Sequence, residues 1–255
     1  DAVVVIVAVL EQRETVCPRS AHRAWRRVRG RSGMTEQRRQ RIDAVLANRQ
    51  PDLTVLAERL HKPRNFSAIV RTCDAVGINE VHAVPGEEGV SIHWKTSQGA
   101  EKWVRVRPHG SVAAACSHLR KRGFQLVAAH PGEDSTDYRD IDYTVPTALV
   151  VGTELFGVSE AALKQADQQL FFPMKGLTPS LNVSVACAIV LYEAMRQRDA
   201  AGLYGHRRLD DARFDAQRFE WLHPALTRFC RERGFDYPEL DAAGNVVGKL
   251  PRGSG

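Results

Sequence analysis

The sequence predicts an α/β protein: a parallel sheet with helices on both faces. Three observations carry this reading. Short apolar runs, such as Phe124–Ala129 and Ala148–Val151, are continuous rather than alternating, as in strands buried on both sides. Between them lie segments with apolar residues at helical spacing, such as Val112–Lys121. The two kinds alternate along the chain, with Gly or Pro at the joins.

The elements follow in order. Thr35 is placed to cap a first helix lined by Ile42, Val45 and Leu46. A strand is expected over Leu53–Leu60. Pro63 disfavours helix before it. A helix is then expected over Asn65–Val76, with Asn65 as N-cap, Ile69, Val70, Cys73 and Val76 on one face, and Gly77 as the stop. Next come a strand over Glu80–Val84, a long loop holding Gly86, Gly89 and Gly99, and a strand over Trp103–Arg107. The helix Val112–Lys121 ends at Gly123, and the strand Phe124–Ala129 runs into His130-Pro-Gly. The strand Ala148–Val151 ends at Gly152, and a loop with Glu154 and Gly157 leads to a helix beginning at Ser159. The apolar run Leu170–Phe172 stops at Pro173, and a long helix is expected over Leu181–Arg198. An amphipathic helix is expected over Ala216–Arg233, with Phe219, Leu222, Leu226 and Phe229 on its apolar face. Ala129, Gly152 and Phe172 all close strands, and open α/β sheets bind ligands outside strand carboxyl ends.

Composition bounds the function less than position does. The chain has 255 residues, 43% hydrophobic and 7% aromatic, which fits a compact domain with smaller appendages. Residues 1–33 hold seven Arg and three acidic residues, and so supply +4 of the formal net charge of +6. The rest of the chain is close to balanced, so overall basicity says little and local clusters must carry any nucleic-acid argument. Residues 1–33 read as an upstream extension foreign to the fold, non-native or disordered, with Met34 as the physiological start. A basic RNA-binding arm is the alternative. The five Cys are scattered, with no Cys/His spacing that points to a metal, and Cys73, Cys116 and Cys187 fall in apolar patterns. This indicates a reducing, cytoplasmic setting. The longest apolar run, Ala2–Leu10, has nine residues and is too short to span a bilayer. No membrane association is expected.

Three segments concentrate polar groups at loop-to-helix joins. The first is Lys62-Pro-Arg-Asn-Phe-Ser-Ala-Ile-Val-Arg71, with Asn65 and Arg71. The second is Val151-Gly-Thr-Glu-Leu-Phe-Gly157, with Gly152, Glu154 and Gly157. The third is Pro173-Met-Lys-Gly-Leu-Thr-Pro-Ser-Leu-Asn-Val-Ser184. In it, Gly176 and Pro179 constrain the backbone, while Ser180 and Asn182 sit at a helix N-terminus with its free backbone N–H groups.

In this order, the segments resemble the three motifs of the SPOUT superfamily of RNA methyltransferases, most closely the TrmH-type tRNA guanosine 2′-O-methyltransferases. The likeness runs from about Arg41 to about Arg198. Leu155 stands where a Lys is common, and Lys175 and Thr178-Pro179 replace mostly apolar or Gln residues; these departures are expected to tune the loop. The resemblance implies a SPOUT fold with a C-terminal trefoil knot and helical N- and C-terminal extensions. The implied divisions are 34–52 for the N-terminal extension, 53–199 for the methyltransferase domain and 200–255 for a basic, helical tRNA-binding extension.

The resemblance also implies transfer of a methyl group from S-adenosylmethionine to the 2′-hydroxyl of guanosine 18 in the tRNA D loop, by a homodimer and without a metal. Arg71 is then the catalytic arginine, with Asn65, Glu154, Ser180 and Asn182 around it. Removing a proton from an arginine side chain near pH 7 costs roughly 7 kcal/mol, so phosphate gripping and alkoxide stabilisation are the expected role rather than base catalysis. The cofactor falls to backbone at Ala129, Gly152, Phe172, Met174 and Leu181. Arg38, Arg41, Arg196, Arg198, Arg207 and Arg208 are the expected RNA contacts, since guanidinium suits phosphate. A ribosomal RNA substrate and a non-catalytic RNA-binding homologue are the alternatives.

Overall fold

The computed structural model describes residues 35–86, 97 and 99–247. The reading of residues 1–33 and of Met34 lies outside them. Two compact units divide the described chain: residues 49–206 form one, and residues 35–48 with 207–247 form the other.

The first unit carries the sheet. Its strands are β1 (Leu53–Glu58), β2 (Glu80–Val84), β3 (Arg105–Pro108), β4 (Gln125–Ala129), β5 (Thr136–Asp137), β6 (Thr147–Val151) and β7 (Gln168–Phe171). They lie in the order β3-β2-β1-β6-β4-β7-β5, and every pairing is parallel. β1 and β6 are central and buried at every residue, which is why their sequences run mostly apolar without alternation, Thr54, Glu58 and Thr147 being the buried polar exceptions. β1 stops before the expected Leu60 because Arg59 takes a left-handed φ of 47°. β3 starts later than expected because residues Ala100–Lys102 form a 3-10 turn capped by Trp103.

Neighbouring residues of one strand feed opposite faces. Val55, Ala57, Leu149 and Val151 pack with Phe66, Ile69, Cys187 and Val190. These partners come from helix α2 (Pro63–Ala75) and helix α5 (Val183–Ala200). Leu56, Leu126, Ala148 and Val150 pack instead with Ala115, Leu119 and Ala162. Those belong to α3 (Val112–Lys121) and α4 (Glu160–Leu163). Each fully buried Leu, Ile or Val side chain here stabilises the fold by roughly 1.5–3 kcal/mol. Helices thus cover both faces, as expected.

In the second unit, α1 (Glu36–Ala47) is capped by Thr35, whose side chain accepts from the Arg38 N–H. The expected single helix over Ala216–Arg233 is two helices, α6 (Asp211–Leu222) and α7 (Pro224–Arg233). Pro224 has no N–H to continue the first helix, and it suits the first turn of the second. Asp43 of α1 receives two bonds from Arg218 of α6, at 2.7 and 3.2 Å. Phe219, Leu226, Phe229, Cys230 and Val246 form this unit's own small core.

Candidate functional site

Three adjacent strands, β6, β4 and β7, end on one edge of the sheet. Their loops enclose a cleft of about 490 Å³, within the roughly 300–1,000 Å³ usual for small-molecule sites. Ala129, Gly152, Phe172, Met174 and Leu181, the five expected cofactor residues, all line it. So do Glu154, Ser180 and Asn182.

Gly152 must lack a side chain. A Cβ there would lie 1.9 Å from the Gly157 carbonyl oxygen. The loop is closed by a reciprocal pair, Thr153 N–H to Gly157 O and Gly157 N–H to Thr153 O, both at 2.9 Å. Gly157 completes it with φ +68°. Gly176 is different. Its φ is not among the left-handed ones, and a Cβ there meets nothing within 4 Å. The expected backbone requirement at Gly176 is therefore absent.

Asn65 is not the N-cap of its helix. α2 begins two residues earlier at Pro63, with Lys62 at the cap position. This frees the Asn65 amide for long-range bonds. Its Nδ2 donates to Glu154 Oε1 at 2.8 Å, and its Oδ1 accepts from Asn182 Nδ2 at 3.3 Å. Glu154 also accepts from the backbone N–H groups of His61 and Lys62, each at 3.1 Å. Burial pushes the Glu154 pKa up, but the donors Asn65, His61 and Lys62 outweigh it, so the carboxyl is held below its ordinary value. Asn182 caps α5, accepting from the Ser184 N–H at 2.9 Å and the Ser184 hydroxyl at 2.6 Å. The helix opens at Val183, two residues later than expected. One residue of each motif thus joins a single hydrogen-bonded chain beside the cleft.

Arg71 is not brought to the cleft. It lies six residues beyond Asn65 on α2, exposed, with no hydrogen bond or ion pair among the described residues. Ser180 is exposed at the cleft rim.

The expected RNA contacts divide. Arg38 and Arg41 are exposed on α1. Arg207 pairs with Asp211 and lies over the Phe214 ring, 4.7 Å from its centroid. Arg208 is half-buried. Arg196 is exposed and paired with Glu193. Arg198 is a correction. It is fully buried and donates five hydrogen bonds, to Tyr143 O, Gln50 Oε1, Asp52 Oδ1, Asp52 O and Val145 O. It holds the fold and is unavailable to RNA.

A parallel sheet with a cleft over its strand ends, walled by small and apolar residues and rimmed by polar loops, defines an α/β enzyme that binds a small molecule. The chain belongs to the SpoU rRNA Methylase family, matched over residues 52–192, and residues 196–249 match the SpoU rRNA methylase C-terminal family. A tRNA (guanosine(18)-2′-O)-methyltransferase from Thermus thermophilus is 52% identical over 188 residues, covering 74% of this chain and 97% of that protein. The crystal structure of the A. aeolicus TrmH/SpoU tRNA modifying enzyme superposes with a TM-score of 0.70 at 40% identity. That match covers 74% of this chain and 96% of the other. The SpoU methyltransferase AviRb from Streptomyces viridochromogenes, in complex with AdoMet, superposes with a TM-score of 0.54 at 28% identity, over 59% of this chain and 62% of the other. The α/β SPOUT fold expected from the motifs is the one observed. No described helix is long and apolar enough to cross a membrane.

Proposed function

We propose that this chain transfers a methyl group from S-adenosylmethionine to the ribose 2′-hydroxyl of guanosine 18 in tRNA. The observation that carries the reading is the Glu154–Asn65–Asn182 chain of hydrogen bonds beside the strand-end cleft. The tRNA methyltransferase named above supports tRNA over ribosomal RNA, although the family's description names rRNA.

The cleft fits the cofactor. Its size suits a nucleoside-bearing molecule, and the absence of a side chain at Gly152 lets the Gly157 backbone close the loop that lines it. When bound, S-adenosylmethionine supplies an electrophilic methyl group on a sulfonium sulfur. The backbone at Ala129, Gly152, Phe172, Met174 and Leu181 grips it. Glu154, Asn65 and Asn182 fix the relative positions of the three loops, so that the reacting atoms meet in line. Ser180 contacts the guanosine side of the cleft. Arg71, exposed and outside this chain's own cleft, acts at the cleft of a second copy in a homodimer. There it grips the neighbouring phosphate and stabilises the developing alkoxide, with that phosphate accepting the proton. Arg38, Arg41, Arg196, Arg207 and Arg208 contact the tRNA backbone.

A homodimer belongs to the same reading. Val185 and Tyr192 are exposed on α5, seven residues and two turns apart, so they share one uncovered apolar stripe. Leu155 and Phe156 are exposed beside the cleft. The trefoil knot at the C-terminal loops, methyl transfer without a metal and a cytoplasmic setting complete the proposal.

The test is methylation of a tRNA transcript with labelled cofactor, followed by mapping. Label at guanosine 18 is expected, with none in a transcript carrying adenosine there. Label on ribosomal RNA fragments alone would replace the substrate. No label on either would remove the activity.

A further inference from the structure

We propose that Glu80, His82 and His118 form a binding site for a borderline divalent metal ion such as zinc, separate from the cleft. The three residues come from β2 and α3, and their ligand atoms all lie within 4.8 Å of one another. None of them lines the cleft. Their spacing forms no local motif, so no metal signal is legible here from sequence alone.

The second observation is an orphaned nitrogen. His82 is fully buried, and its Nε2 has no hydrogen-bond partner. The nearest acidic atom, Glu80 Oε2, is 3.6 Å away, too far for a hydrogen bond. The other ring nitrogen, Nδ1, faces His109 Nε2 at 2.8 Å. With the proton on Nδ1 and shared with His109, the His82 Nε2 lone pair points at a carboxylate, an arrangement that a cation bridges. With the proton on Nε2, a buried N–H goes unsatisfied. Metal-bound imidazoles characteristically donate their second N–H to a neighbour, and His109 fills that place.

The donor chemistry and spacing agree. Imidazole with carboxylate suits zinc and neighbouring divalent ions. Two ligands about 2.05 Å from a tetrahedral ion stand about 3.4 Å apart, close to the observed 3.6 Å. The three rings cluster with centroids 5.1 to 5.4 Å apart. His118 is half-buried, which leaves a route from solvent. Two cations compete for Glu80: Arg107 at 2.9 Å and Arg122 at 3.0 Å. An entering ion must displace Arg122 from Glu80 Oε2 and from His118 Nε2, which the same guanidinium nitrogen faces at 3.5 Å.

The untagged full chain, stripped with chelator, is titrated with zinc against a chromophoric indicator and with cobalt(II) by visible absorption. The wild type is expected to bind zinc saturably. His118→Ala is expected to lose one equivalent or weaken it by more than about tenfold, and His109→Ala to weaken it about 10- to 100-fold. Arg122→Gln is expected to tighten binding by freeing Glu80, and the exposed His206→Ala to leave it unchanged. Absence of saturable binding by the wild type overturns the proposal. So does a zinc stoichiometry and affinity unaltered in His118→Ala.

Discussion

The Asn65 amide meets the Glu154 carboxylate at 2.8 Å across 89 residues of sequence. Glu154 also takes the His61 and Lys62 backbone N–H groups, so one carboxylate ties the start of α2 to the loop after β6. Hydrogen bonds to a charged group contribute about 1.5–3 kcal/mol. Glu154→Ala is therefore expected to weaken cofactor binding about 10- to 100-fold, read by calorimetry. The pH dependence has a definite sign. The folded carboxyl is held below its ordinary value, so its contribution is full above the unfolded value and is lost as pH falls through the lower, folded one. Cofactor affinity in the wild type should persist into mildly acidic solution, and a loss near neutral pH would contradict the clamp.

Arg71→Ala and Arg207→Ala should separate catalysis from binding. Loss of a group acting only in the transition state lowers kcat by at least about 10²-fold. Cofactor affinity should barely change, because Arg71 does not line the cleft. Arg71→Lys should not rescue, since an ammonium lacks the planar fork. Arg207→Ala should weaken tRNA binding and flatten its salt dependence with kcat nearly intact. Near-normal single-turnover rates for Arg71→Ala at saturating tRNA would remove it from the mechanism.

Arg198→Ala should destabilise by about 3 kcal/mol, since it strands the partly buried partner Asp52 and several carbonyls that the buried guanidinium satisfies. Arg196→Ala, its exposed neighbour two residues away, should change stability by less than about 1 kcal/mol. Urea midpoints of the two variants decide this. Comparable midpoints would return Arg198 to the surface role.

Val185→Glu with Tyr192→Glu should give a monomer with little activity. Each change places a charge on the uncovered stripe of α5 without touching the core. Light scattering at assay concentration provides the check. An active monomeric wild type would rule out the homodimer.

Much of this was legible in advance, for identifiable reasons. The central strands showed themselves because burial on both faces forbids polar alternation in Leu53–Ala57 and Ala148–Val151. The cleft residues were legible because strand ends and glycines mark loops. Arg198 misled because sequence reports a residue's type but not its burial, and it follows Arg196 near other basic residues. The break at His223-Pro224 was written in the sequence and was outweighed there by the apolar spacing from Phe219 to Phe229. The Glu80–His82–His118 set was invisible because only the sheet and the packing of α3 bring its members together.

Gln50, near the entry to the first unit, donates through Nε2 to the carbonyl of Leu203, near its exit, at 2.9 Å. Tyr204 adds a second fastening, its hydroxyl donating to Val76 O at 2.7 Å. Entry and exit therefore leave from one spot, like the two wires of a plug. The segments before and after this unit, far apart in sequence, join it at neighbouring points. A change in either flanking segment thus leaves the threading of the sheet and its cleft untouched.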